Sequence, residues 1–126
     1  KARGSRSTPD GSANPDCQLT LMNARVVDLL AGGDRAAWPL AGDQLYVDFD
    51  LSMANLPAGT RLAVGTAVIE VTEPPHTGCA KFSARFGSEA LRFVNSPEGR
   101  SLRLRGLNAR VAVPGIVHAG DAIRRL

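Results

Sequence analysis

Hydrophobic positions along this chain change period several times, and each change marks an element. Residues 18–22 (Gln-Leu-Thr-Leu-Met) alternate as a short strand does. Asn23 is placed to cap a helix over Ala24–Leu30, which Gly32-Gly33 ends. After a loop carrying Trp38-Pro39, residues 45–49 read as a strand. Arg61–Val64 and residues 67–72 are two apolar runs joined by the Gly65-Thr66 turn, the pattern of a hairpin. Pro74-Pro75 then hold the chain extended and disfavour helix before them, and Thr77 is a candidate N-cap for a helix over Ala80–Phe86. A second short helix is expected over 88–94, with Leu91 and Val94 inward and Arg92 outward, followed by a turn over 95–99.

Strict alternation in Ser101-Leu102-Arg103-Leu104-Arg105 predicts a strand with the leucines on one face and the arginines on the other. Residues 109–113 and 115–118 read as two more strands around Pro114-Gly115, and Gly120-Asp121 closes the pattern before Ala122-Ile123. Many short strands around small helices predict a mainly β fold, an antiparallel barrel with two or three short helices. Residues 1–17 lack apolar periodicity and are rich in glycine, serine, proline and charge, so they read as a flexible arm, leaving 18–126 as one domain.

Composition narrows the function. A chain of 126 residues with 44% hydrophobic content suits one soluble domain with a real core. The net charge of +3 comes almost entirely from arginine, which favours bidentate contact with phosphate or carboxylate. The basic residues of the arm have no aromatic stacking partners and form no basic run, which argues against nucleic acid. Apolar runs are far too short to span a membrane and nothing resembles a secretory signal, so a cytoplasmic location is expected. Cys17 and Cys79 are too few and too far apart in sequence to imply a disulfide framework, and the sequence leaves a single bridge between them open. Asp48, Asp50 and Ser52 imitate a calcium loop, but Met53 stands where that loop needs glycine and Gly59 where it needs glutamate. No phosphate-binding loop or dinucleotide fingerprint is present.

The chemistry-bearing stretch is Pro74-Pro75-His76-Thr77-Gly78-Cys79-Ala80-Lys81-Phe82-Ser83-Ala84-Arg85-Phe86-Gly87. Cys79 is expected in the first turn of a helix, where free amides and the helix dipole favour thiolate over thiol. His76 is placed to tune that thiol. Lys81, the only lysine besides Lys1, adds an electropositive setting. Arg85, Arg105 and Arg110 are the candidates for holding an anion beside Cys79. A lone Cys/His pair falls short of a zinc site, and neither Ser83 nor Ser101 sits on a nucleophile elbow.

The order of these residues resembles a known family. Leu56-Pro-Ala-Gly-Thr-Arg-Leu-Ala-Val-Gly, then Ala67-Val-Ile-Glu-Val-Thr, a His-Thr-Gly-Cys segment, Ala109-Arg-Val, Gly115-Ile-Val and Gly120-Asp resemble the MOSC domain, the molybdenum cofactor sulfurase C-terminal domain, in its small stand-alone bacterial form. The resemblance implies a β-barrel whose characteristic cysteine, matched by Cys79, carries sulfur as a persulfide or ligates the molybdenum of the pterin cofactor. It implies Thr77, Gly78, Arg85, Arg105 and Arg110 as cofactor-binding candidates. As partners it implies a pyridoxal-phosphate-dependent cysteine desulfurase or an electron-transfer protein. In some relatives the bound cofactor reduces N-hydroxylated compounds, and a barrel that kept the fold and lost the chemistry is a third class. Two departures stand out: the flexible arm replaces additional N-terminal strands, and Asp43-Gln44 replaces the family's Glu-Asn pair.

Overall fold

The computed structural model describes residues 14–126. Their framework is a six-stranded sheet in the order β2-β1-β5-β4-β3-β6, nearly closed into a barrel. The strands are β1 (Leu19–Asn23), β2 (Leu45–Val47), β3 (Arg61–Val64), β4 (Ala67–Pro75), β5 (Leu107–Val113) and β6 (Ile123–Arg125). Every pairing is antiparallel except β1 with β2, which is parallel because α1 (Ala24–Leu30) and a 3-10 segment (Arg35–Ala41) carry the chain back between them. Three more short helices follow β4: α2 (Ala80–Phe86), α3 (Ser88–Asn95) and α4 (Pro97–Ser101). The mainly β barrel expected from the alternation is therefore present, with four short helices rather than two or three.

Adjacent residues on β1 show how the layers form. Leu21 and Met22 are both fully buried, and successive strand side chains point to opposite faces. Leu21 joins Leu51, Leu56, Leu62, Ile69, Val71 and Leu107 inside the barrel. Met22 joins Val27, Ala41, Phe82 and Val94 between sheet and helices. The second cluster fixes α2 against the sheet, since burying the Phe82 side chain contributes on the order of 2 kcal/mol. The hairpin of β3 and β4 turns at Gly65, whose φ of +57° suits glycine, and a Cβ there would meet the Ile116 carbonyl oxygen at 2.3 Å.

Three local expectations are corrected. Residues 101–105 are not a strand: Ser96 caps α4 by accepting from the Gly99 amide, Pro97 occupies the first helical turn, and the chain leaves through Arg103 at φ +50°. The alternation there reflects separate destinations, with Leu102 exposed, Leu104 packed on the helix-side cluster and Arg105 buried. Residues 115–118 form no strand either. Gly115 lies hard against the Thr66 backbone, where a Cβ would come within 2.4 Å, and Ile116 instead bonds the hairpin turn at Thr66. Finally, the last part of the expected arm is ordered: Pro15–Cys17 is a 3-10 turn capped by Asn14, and the Thr72 hydroxyl donates to the Asp16 carbonyl. The rest of that arm, residues 1–13, lies outside the described residues.

Candidate functional site

The strand β4 runs through Pro74 and Pro75 before the chain leaves the sheet, so His76 to Cys79 cross from the barrel rim to α2 without regular structure. Cys79 is extended (φ −128°, ψ −177°) and occupies the N-cap position of α2. The expected cap, Thr77, lies two residues too early, which corrects that assignment. The thiol is exposed. Its side chain closes no full cap hydrogen bond. Nevertheless the Phe82 amide, facing the sulfur, holds its pKa below the usual thiol value, and the Lys81 amide and the charges of Arg105 and Lys81 act in the same direction against some burial. Cys17, by contrast, is half-buried, and burial together with Asp16 pushes its thiol up.

Cys79 opens on a cleft of about 200 Å³ that His76, Thr77, Lys81, Arg85 and Arg105 also line. Their origins differ: the loop supplies His76 and Thr77, α2 supplies Lys81 and Arg85, and the turn before β5 supplies Arg105. Lys81 and Arg85 are exposed and form no ion pair among the described residues, while Arg85 donates to the Leu40 carbonyl at 2.9 Å, tying α2 to the 3-10 segment.

Behind the cleft lies a buried hub that the sequence did not disclose. Gly42, at φ +80°, ends the 3-10 segment and turns the chain so that Asp43 enters the interior. The Asp43 side chain is 0% exposed, meets His76 Nε2 at 2.9 Å and accepts from Arg105 at 2.7 Å. Burial would push its carboxyl up, but the His76 hydrogen bond and the Arg105 charge outweigh burial and hold it below the usual carboxylate range. Arg105 also donates to the Ala41 carbonyl at 2.8 Å, and its guanidinium lies 5.0 Å from the centre of the Phe82 ring. Its Nε is buried without a partner among the described residues. Asp43 thus fixes a histidine and an arginine at one wall of the cysteine cleft.

Two predicted site residues sit elsewhere. Arg110 is on β5, where it pairs with Glu70 at 2.9 Å across the sheet; it does not line the cleft, because strand register places it on the Glu70 face. Gly78 offers no free amide to a ligand, since the Asn95 side chain accepts from it at 2.9 Å and donates to the Gly78 carbonyl at 3.1 Å. Packing is tight there: a Cβ would meet Leu91 Cδ1 at 2.7 Å, so the Leu91 side chain would have to shift. Asn95 itself was read as a turn residue, and nothing local marked it.

The cleft's donor set can be tested against the cofactor that the fold implies. One soft thiolate suits molybdenum, and Lys81, Arg85 and Arg105 suit a phosphate. Among the described residues no group of three or more His, Cys, Asp or Glu side chains is placed to hold a metal ion. A metal here would therefore arrive with most of its ligands already attached. No helix among the described residues is long and apolar enough to cross a membrane.

The fold is shared with known proteins. Crystal structures of YiiM from Geobacillus stearothermophilus and from Escherichia coli match with TM-scores of 0.63 and 0.61 at 16% and 19% identity. Those matches cover 90% and 91% of this chain but only 56% and 57% of theirs, so the chain spans little more than half their length. The YUAD protein from Bacillus subtilis matches with a TM-score of 0.55 at 19% identity, over 96% of this chain and 72% of its own. No curated protein sequence matches significantly. Identities this low show the fold alone, but the MOSC domain family model matches residues 10–124, through both the barrel and the cysteine cleft. The chain belongs to the MOSC domain family, whose members are associated with molybdenum cofactor systems.

Proposed function

We propose that this domain is a sulfur carrier of a molybdenum cofactor system, with Cys79 as the atom that accepts sulfur. The observation that supports this reading is an exposed thiol, poised toward thiolate by the first-turn amides, in a cleft that presents Lys81, Arg85 and Arg105. The Cys79 thiolate attacks the outer sulfur of a donor persulfide. The new S–S bond forms on Cys79 as the donor's S–S bond breaks, and the donor leaves as a thiolate, so the step needs no external oxidant. A pyridoxal-phosphate-dependent cysteine desulfurase is the donor class that supplies such a persulfide. The cationic side chains favour an anionic donor or acceptor at the cleft. A silent interaction domain would call for a sequestered Cys79, whereas the thiol is open to solvent.

A second reading has a specific observation in its favour, one soft thiol ligand beside three cationic side chains in the same cleft. In it Cys79 ligates the molybdenum of a bound pterin cofactor while Lys81, Arg85 and Arg105 face the phosphate. The cofactor would supply a redox-active metal for reducing N-hydroxylated compounds with an electron-transfer partner. The cleft, about 200 Å³, is smaller than the roughly 300 Å³ and upward of most ligand sites, a size that supports the carrier reading over a bound pterin. Intact mass after incubation with a cysteine desulfurase and cysteine decides between them. The carrier gains about 32 Da, one sulfur, on the wild type and not on Cys79→Ser. A wild type that stays unmodified, in protein from a cofactor-competent host that co-purifies with molybdenum, would overturn the carrier in favour of the second reading.

A further inference from the structure

Cys79 joins α2 through its carbonyl, which accepts from the Ser83 amide at 3.0 Å, but residues 76–78 before it belong to neither strand nor helix. The approach to the cysteine is fixed from the far end of α3. The Asn95 carboxamide accepts from the Gly78 amide at 2.9 Å and donates to the Gly78 carbonyl at 3.1 Å, closing a two-bond ring on the residue immediately before Cys79. The same helix closes the space around Gly78, because a Cβ there would sit 2.7 Å from Leu91 Cδ1 and 3.1 Å from Val94 Cγ2. Asn95 is held in turn: Arg100 Nε donates to its carbonyl at 3.1 Å, and Ser96, the next residue, caps α4.

We infer that Asn95 is a positioning residue for Cys79, fixing the direction in which the sulfur enters the cleft without touching the reacting atoms. This rests on the reading of Cys79 as sulfur acceptor. An asparagine amide is the shortest side chain that carries a donor and an acceptor on two separate atoms, so it can pair with both groups of one peptide residue as a β-strand neighbour would. Alanine removes both bonds. Aspartate keeps the acceptor for the Gly78 amide and loses the donor to the Gly78 carbonyl. Glutamine keeps both groups one methylene too far out.

The test is sulfur transfer from glutathione persulfide to Cys79, followed over a range of donor concentrations. Binding of this anionic donor depends on Lys81, Arg85 and Arg105, which Asn95 does not contact, whereas the transfer step depends on where the sulfur points. Asn95→Ala is expected to lower the limiting rate roughly tenfold, the scale of a modest misplacement of a reacting atom, with the half-saturating concentration unchanged within about twofold. Asn95→Asp falls between it and the wild type. Arg92→Ala, on the exposed side of the same helix, leaves both quantities unchanged. A folded Asn95→Ala with the wild-type limiting rate would overturn the inference, as would a change confined to half-saturation. Should Asn95→Ala fail to fold, Asn95→Asp carries the same two outcomes. If wild type accepts no sulfur, the carrier reading fails by itself. The limiting rate of iodoacetamide alkylation of Cys79 then decides for Asn95, an unaltered rate in Asn95→Ala counting against it.

Discussion

Replacing Asp43 by asparagine preserves the shape of the buried hub and removes its charge. Arg105, with only 9% of its side chain exposed, then keeps its Ala41 and Phe82 contacts but loses its counter-ion, and His76 loses its carboxylate. Removing one partner of a buried pair costs about 3–5 kcal/mol, and the retained Ala41 bond puts this case near the lower figure, about 3 kcal/mol. For a domain of this size that corresponds to a fall in Tm of roughly 10 °C. The effect carries a pH signature. The folded Asp43 pKa is depressed, so its stabilisation is complete above the unfolded aspartate value, about 3.9, and is lost as pH falls through the lower folded value. Urea unfolding of wild type and Asp43→Asn, at neutral pH and at several acidic values, should show a gap that narrows on acidification. Equal stability at neutral pH, or a gap that persists unchanged into strong acid, would refute the buried ion hub.

Gly78→Ala should destabilise the domain by about 1 kcal/mol, the low end of overpacking, because Leu91 must shift; in thermal melts Gly78→Ala combined with Leu91→Ala should cost less than the sum of the two single losses. Arg110→Ala should leave the rate of Cys79 alkylation at its wild-type value, because Arg110 pairs with Glu70 outside the cleft; a slowed reaction would return it to the site. Lys81→Ala should reduce the ratio of iodoacetate to iodoacetamide reactivity at Cys79, since the lost cation attracts only the anionic reagent. An unchanged ratio would remove Lys81 from the electropositive setting.

What the sequence disclosed was what local pattern controls. The hairpin of β3 and β4 was legible because glycine at the turn and alternation in both arms agree, and α2 was legible because two prolines fence its start. Residues 101–105 misled because strand-like alternation of Leu and Arg competed with a Ser96-Pro97 helix start, and capping prevailed. The cleft's cationic residues were visible through their nearness to Cys79 or through the family pattern. Its supports were not: Asp43 is 33 residues from His76 and 62 from Arg105, and Asn95 is 17 from Gly78. Such partners are chosen by the fold, and no spacing along the chain announces them. Arg110 failed for the same reason, since only strand register showed that Glu70 claims it.

Cys79 is an exposed thiol held below its ordinary pKa, and the protein carries its own reference in Cys17. Alkylation of the wild type by iodoacetamide across a pH series, with each cysteine followed separately by peptide mass, measures both at once. Cys79 should reach half its maximal rate below the ordinary thiol value of about 8.5 and Cys17 above Cys79. Coincident profiles, or a Cys79 that reacts only in the more alkaline range, would contradict the account.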